Sequence, residues 1–266
     1  MKQTLLFLLV IISLVVLTSC KKQAYIILST TTSTDHSGLL EYLLPYFEDD
    51  SGIEVRVISR GTGAALEMGR QGEADILLVH DVERELEFMN DGYGTLRSEV
   101  MFNDFVLVGT RELSDVTLED ILTTIKEDEL PFISRDDQSG THAKELSLWA
   151  SFDIEPSGDW YIKSGQGMGG TLTMANEEEA YTLSDRATFY KTNNISDLKI
   201  IFEDKVTLRN QYGVILVNPE LHKRINSDGA IKFYDWLLSS EAQELINNFG
   251  KDEFEEPLFT ANAPKE

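Results

Sequence analysis

The chain has a single cysteine, Cys20, so no disulfide can form within it. The fold must therefore rest on its hydrophobic core. The roughly 245 residues beyond the N-terminal segment can bury enough surface for one large domain or two small ones. Basic residues are scarce: 23 Lys and Arg stand against 46 Asp and Glu, for a net charge of −23. A phosphate backbone needs a basic footprint, so nucleic acid is excluded as a partner. The acidity reads as solubility and does not bar a small anion, which feels nearby N–H dipoles more strongly than distant, screened carboxylates. Histidines are few and scattered (His36, His80, His142 and His222), and no pair has zinc-site spacing. The sequence around Ser139 lacks the G-x-S-x-G elbow of a nucleophilic serine. His142 is placed in the first turn of the following helix rather than beside Ser139 as a base. Catalytic constellations are thus missing, and no metal site or cofactor is expected.

Long apolar runs are confined to the N-terminus. Lys2 gives a positive start, Thr4 to Ser19 is apolar apart from small hydroxyl residues, and Lys21-Lys22 follows closely. That pattern suits an export signal over residues 1–19 better than a membrane span. Leu17-Thr18-Ser19-Cys20 resembles the lipobox of bacterial lipoproteins. The resemblance implies cleavage before Cys20, a diacylglycerol on its thiol and a short tether over 20–23; the alternative is an uncleaved anchor with an incidental cysteine.

Beyond the tether, strand and helix patterns alternate. Strands are expected at Tyr25–Ser29, Ile53–Ser59, Asp75–Val79, Phe102–Thr110, Tyr181–Leu183, Lys199–Phe202 and Tyr212–Val217. Helices are expected at Gly38–Asp50, kinked by Pro45, and at Ala64–Gln71, Val82–Asn90 and Val116–Asp128, the last capped by Thr117. A single last helix is expected over Ala230–Phe249. The alternation argues for a parallel sheet with helices on both faces. There are no repeats, low-complexity tracts or long Pro/Gly/Ser linkers. Two lobes without a floppy linker imply strands that cross between them, with candidates at about Asn103–Gly109 and Tyr212–Val217. Lobe one would combine 24–105 with 212–266, and lobe two would be 106–211, with ligand in the crevice at the strand ends.

Two hydroxyl-rich turns carry the chemistry. Thr30-Thr31-Thr32-Ser33-Thr34 follows the first strand, and Ser134-Arg135-Asp136-Asp137-Gln138-Ser139-Gly140-Thr141 follows Pro131-Phe132-Ile133. Each reads as a strand ending in a turn that opens a helix, where unpaired N–H groups and partial positive charge suit an anion. One hydroxyl before a helix is usually only its cap, but a run of five exceeds what a cap uses, and Asp35 and Ser37 remain free for that task. Arg135 read alone is a surface residue paired with an acid. Between a strand and Ser139-Gly140-Thr141 it is a pre-oriented oxyanion ligand, with Asp136 or Asp137 as its brace. Gly61-Thr62-Gly63 is either a tight turn needing positive φ or a further set of donors led by Thr62. Gly165-Gln166-Gly167-Met168-Gly169-Gly170 contains G-x-G-x-x-G with Asp185 downstream, but the strand before it is weak. A helix-opening loop near the cleft outweighs a dinucleotide site.

At these residues the chain resembles the tungstate-binding proteins of bacterial and archaeal ABC importers. The matching stretches are Ser29–Thr34 with Ser37-Gly38-Leu39-Leu40, Gly61–Leu66, Ala74–His80, Ser134–Glu145 and Thr182–Thr188, covering nearly all of the mature chain. The resemblance implies a two-lobed α/β solute-binding protein of the type II periplasmic-binding-protein fold. Each lobe would be a mixed, mostly parallel sheet flanked by helices, with two hinge crossovers. It implies Thr32, Ser33, Thr62 and Arg135 as ligands of tungstate or molybdate, joined by Ser139, Gly140 and Thr141 and by neighbouring donors at Thr31 and Gly63. It further implies an extracytoplasmic, lipid-anchored monomer that delivers its anion to a permease and its ATPase. Arg-x-x-x-Ser-Gly-Thr also resembles phosphate-binding proteins of importers. Phosphate keeps a proton near neutral pH and gains from a carboxylate acceptor, so Asp81, if it points into the cleft, favours phosphate. An enzyme, either a nucleotide-dependent oxidoreductase or a serine hydrolase using Ser139, is the distant alternative.

Overall fold

A computed structural model describes residues 24–114, 117–192, 197–254 and 256–264. The export segment, Cys20 and the tether lie outside the described residues. The chain runs β1 (Ala24–Thr31), α1 (Thr32–His36), α2 (Leu39–Ser51), β2 (Ile53–Arg60), α3 (Thr62–Arg70), β3 (Ile76–Val79), α4 (Val82–Asn90) and β4 (Gly94–Gly109). It continues through α5 (Leu118–Glu127), β5 (Phe132–Ser134), α6 (Gly140–Ser151), β6 (Tyr161–Lys163), α7 (Met168–Glu177), β7 (Thr182–Asp185), α8 (Arg186–Thr192) and β8 (Lys199–Glu203). β9 (Arg209–Val217), α9 (Ser227–Leu238), α10 (Ser240–Asn248), α11 (Lys251–Phe254) and β10 (Thr260–Ala261) complete it.

β1 lies between β2 and β3 and is parallel to both, as the β-α-β alternation requires. β9 then pairs antiparallel with β3, and β4 antiparallel with β9. Helices cover both faces of this sheet. Leu39, Leu40, Leu43 and Phe47 of α2 and Phe233 and Leu237 of α9 pack on one side with Ile26 and Leu28. Ala65 and Leu66 of α3 and Phe88 of α4 pack on the other with Leu77 and Ile215. Pro45 lies inside α2, which runs through it to Ser51.

β4 joins the two lobes of this α/β fold. Its first part pairs with β9; from Phe105 onward it pairs with β7 and β8. Alternation sorts its apolar residues: Phe105 and Leu107 enter the core beneath α5 and α6, while Val106 and Val108 enter the core beneath α7. β4 begins at Gly94 rather than at Phe102: pairing with β9 extends it, and Thr95, Arg97, Ser98 and Glu99 interrupt the apolar pattern by which the sequence reveals its second half. The expected last helix is two helices, α9 and α10. Ser239 adopts extended angles (φ −66°, ψ 158°) between them, and its hydroxyl accepts the Ala242 N–H at 3.4 Å, so a new cap starts where one continuous helix would otherwise run.

At the crossover, the Phe105 N–H donates to the Leu208 carbonyl at 2.7 Å. Beside it the buried Arg186 donates to Asp104, with Nε 3.0 Å from Oδ2, and its Nη2 also reaches Glu203. Arg186→Met leaves the Asp104 carboxylate largely buried without a counter-charge, a change that costs about 3–5 kcal/mol. At about 2–4 °C per kcal/mol for a chain of this size, we expect a thermal midpoint lower by at least about 6 °C. A melt of the anion-free protein checks it.

Candidate functional site

The C-terminal ends of β1, β3, β5 and β7 meet at one place. β1 ends in Thr31, whose extended backbone caps α1, with Oγ1 accepting the Thr34 N–H at 3.3 Å. The same Oγ1 lies 3.1 Å from Ser33 Oγ and 2.7 Å from Thr34 Oγ1, so these hydroxyls form a buried cluster. Thr32 is the half-buried first residue of α1.

His80 follows β3 and closes the cluster. Its Nε2 is 3.1 Å from both Thr31 Oγ1 and Ser33 Oγ, and its Nδ1 is 2.8 Å from Asn210 Oδ1. The Asn210 amide donates through Nδ2 to Asn103 Oδ1 at 2.8 Å and to the Tyr212 hydroxyl at 3.2 Å, which leaves its Oδ1 as acceptor. The network therefore assigns the His80 proton to Nδ1 and leaves Nε2 as acceptor for a hydroxyl. Burial, reinforced by the positive charge of Arg135, pushes the imidazole down to about 4, so it is neutral at physiological pH.

The opposing wall comes from β5 and α6. Arg135 is 1% exposed, a guanidinium almost wholly removed from water. Its Nη2 pairs with Asp137, its Nη1 is 3.4 Å from Thr141 Oγ1, and its Nε has no partner. Asp137 also accepts the Ser139 N–H at 3.1 Å, so it is the brace between the two acids named above. Asp136 turns outward at φ +46° toward Lys163, 3.3 Å away. Ser139 caps α6, its Oγ accepting the His142 N–H at 3.2 Å. His142 sits in the first turn of α6 and its Nδ1 accepts the Gln138 N–H at 3.2 Å, so it is not aligned on the Ser139 hydroxyl.

The walls touch. The Gly140 N–H donates to the buried Thr62 Oγ1 at 3.0 Å, and Arg84 Nη1 donates to the Gln138 carbonyl at 2.9 Å. The Thr188 hydroxyl of α8 donates to the Ser33 carbonyl at 3.4 Å. Gly61 caps α3 with φ −65° and ψ 152°, so positive φ is not what this turn needs. Gly63 lies in the first turn of α3, beside Arg84. The N-termini of α3 and α6 thus face one another with Arg135 and the hydroxyl cluster around them, an arrangement that concentrates N–H and O–H donors and one cation.

Some candidates stand elsewhere. Asp81 caps α4, with Oδ1 accepting the Arg84 N–H at 3.2 Å and Oδ2 3.4 Å from Arg84 Nε. Gly165 to Gly167 is an exposed loop whose last residue caps α7, and Asp185 is fully buried rather than open to a ribose. Among the described residues no group of three or more His, Cys, Asp or Glu is placed to hold a metal ion, and no helix is long and apolar enough to cross a membrane. Sequence reading missed His80, Asn210, Thr188 and Asp185 as members of this neighbourhood. His80 follows β3 and Asp185 ends β7, the position where open α/β sheets hold ligands, but their membership is decided by burial and partners that the sequence does not record.

Residues 18–241 match a family model described as a PBP superfamily domain. A tungstate-binding protein, TupA, of Peptoclostridium acidaminophilum is 50% identical over 247 residues, which cover 90% of this chain and 86% of that one. A putative ABC transporter anion-binding protein of Haloferax volcanii is 45% identical over 232 residues, covering 84% of this chain and 68% of the relative. The crystal structure of the tungstate ABC transporter from Geobacter sulfurreducens matches with a TM-score of 0.79 at 42% identity, covering 85% of this chain and 98% of that one.

Proposed function

This chain belongs to the tungstate-binding proteins of the PBP superfamily, and from that membership we propose that it captures tungstate, or the closely similar molybdate, outside the cytoplasm for an ABC importer. The observation that carries the reading is the bond from the Gly140 N–H to Thr62 Oγ1 at 3.0 Å, because it joins two helix N-termini directly across the cleft. A tetrahedral dianion held there would receive N–H groups at the starts of α3 and α6 and hydroxyls from Thr31, Thr32, Ser33, Thr62, Ser139 and Thr141. The guanidinium of Arg135 supplies the one full positive charge. Such donors stabilise an anion removed from water far better than they would in bulk solvent. Gly63 contributes its backbone N–H, whereas that of Gly140, which donates to Thr62 Oγ1, would reach the anion only by leaving that bond.

We assign 24–104 with 209–266 to one lobe and 105–208 to the other, one and three residues before the boundaries expected from the sequence, because Phe105 pairs with β7 while Arg209 to Gln211 pair with the first part of β4. Closure would turn on the crossings at Asp104–Phe105 and Leu208–Arg209, where β4 exchanges one set of partners for another. The protein performs no chemistry. It would act as a monomer that hands its anion to a permease driven by an ATPase, tethered through a lipid on Cys20. Phosphate capture is the weaker reading on the similarity to tungstate-binding proteins, and Asp81, the carboxylate singled out above as favouring it, caps α4 through Oδ1. Calorimetric titration of the soluble part, from Lys21 on, with tungstate, molybdate, phosphate and sulfate tests the assignment; preference for phosphate would reject it. Thr32→Val is expected to weaken tungstate binding in the same titration, about fivefold for one lost hydroxyl donor worth about 1 kcal/mol.

A further inference from the structure

Asp185 borders the proposed cage and is completely buried. Its Oδ1 accepts the Thr188 N–H at 2.9 Å, a helix cap, while its Oδ2 has no hydrogen-bond partner. Its surroundings are those of the cage. Thr188 hydrogen-bonds to the Ser33 carbonyl, and the Tyr212 ring, whose hydroxyl is pushed up first by burial and then by the Asp185 carboxylate, stacks on His80 at 4.8 Å between centroids. Burial outweighs the Thr188 bonds and Arg135, which favour the ionised form of Asp185, and the Arg135 Nη2 is committed to Asp137. The other charged groups on the packed elements are turned to partners of their own. Arg186 meets Asp104 and Glu203, Asp35 of α1 receives the Ser59 hydroxyl, and Lys191 meets Glu253. On α6, Glu145 receives Ser134 and Tyr161, Lys144 donates to the Thr207 carbonyl, and His142 faces Gln138 and Asp136. Phe105, opposite Asp185 on β4, is apolar.

An ionised carboxylate in that place would repel a dianion within a site shielded from water. As the neutral acid it becomes an O–H donor instead, the form in which a buried carboxyl can help to hold negative charge. Building on the oxyanion reading above, we propose that Asp185 enters the closed complex protonated and donates its O–H to the bound dianion, so that each capture takes up one proton from solvent. No bond breaks; the proton adds to the carboxylate. The device selects by protonation state. An anion without a proton accepts the Asp185 hydrogen, whereas an anion carrying its own sets hydrogen against hydrogen. Burial already raises the Asp185 carboxyl above its ordinary range, and a neighbouring dianion moves it in the same direction. His80 titrates near 4, below the range that matters here.

The test is titration of the whole soluble chain with tungstate at several pH values from about 6 to 9, in buffers of different ionisation enthalpy. The expected heats depend on the buffer. Affinity falls with rising pH, by up to about tenfold per unit, wherever the free protein is ionised at Asp185 and the complex is not. Asp185→Asn keeps the cap on α8 and supplies an N–H donor, so its binding heat is expected to be independent of buffer and its affinity flat with pH. Tungstate binding without proton uptake in the unsubstituted protein throughout this pH range overturns the inference but leaves the capture reading intact. Equal uptake in Asp185→Asn does the same. Phosphate binding that is lost in Asp185→Asn makes the carboxylate an acceptor and also overturns it. A chain that binds none of the four anions overturns the capture reading and this inference together.

Discussion

Arg135→Ala is expected to weaken tungstate binding at least tenfold, about 1.4 kcal/mol, the scale of a desolvated, charge-assisted contact. Two losses coincide in that variant. The anion loses the only full positive charge assigned to its site, and Asp137 loses the guanidinium that neutralises it. The second loss matters because Asp137 then stands as a partly buried, unpaired carboxylate beside a dianion. Arg135→Lys separates the two: an ammonium keeps the charge but not the planar fork that reaches Asp137 and Thr141 together, so intermediate affinity is expected. Calorimetry of both variants, with melts to verify folding, decides the matter. Unchanged affinity in folded Arg135→Ala would remove the central residue of the proposed site.

The two hydroxyl turns could be read from sequence because each is contiguous. A strand, a run of Ser and Thr and the start of a helix lie within a dozen residues of one another, so local patterns were enough to place them. His80 could not be read so. Its membership of the site depends on Asn210, 130 residues away, and on burial that no single letter records. Choosing between Asp136 and Asp137 was likewise beyond the sequence, since adjacent acids differ here only through the left-handed backbone at Asp136 that turns it to solvent. Strand positions followed from periodicity, but strand direction did not. Period-two alternation marks which face is buried and leaves partner and polarity open, so the antiparallel entry of β9 and β4 into a parallel sheet appeared only in the fold.

Gly140→Ala offers a test in which stability and binding are expected to move in opposite directions. A methyl group at Gly140 would lie 2.9 Å from His80 Cε1, 3.0 Å from His80 Nδ1 and 3.1 Å from the His80 backbone oxygen. The ring is held by Thr31, Ser33 and Asn210 and the carbonyl belongs to the main chain, so neither yields easily. The lobes must separate by a few tenths of an ångström, stretching the bond from the Gly140 N–H to Thr62. Overpacking of this kind costs about 1–3 kcal/mol, and here it is borne by the closed state, so tungstate affinity should fall about five- to 150-fold. In the open, anion-free protein the methyl meets no such obstacle, and alanine in place of glycine at the start of α6 raises helix stability, so the melting temperature of that form should hold or rise. Gly61, on the facing helix terminus, is the matched control. Its φ of −65° suits alanine, and the added carbon would sit 3.5 Å from the Asp137 carbonyl, an ordinary contact. Gly61→Ala should therefore bind within about threefold of the unsubstituted protein, because the lost cap preference, up to about 1 kcal/mol, weakens the open and closed forms alike. If both substitutions weaken binding equally, the close approach of Gly140 to His80 is not what limits closure.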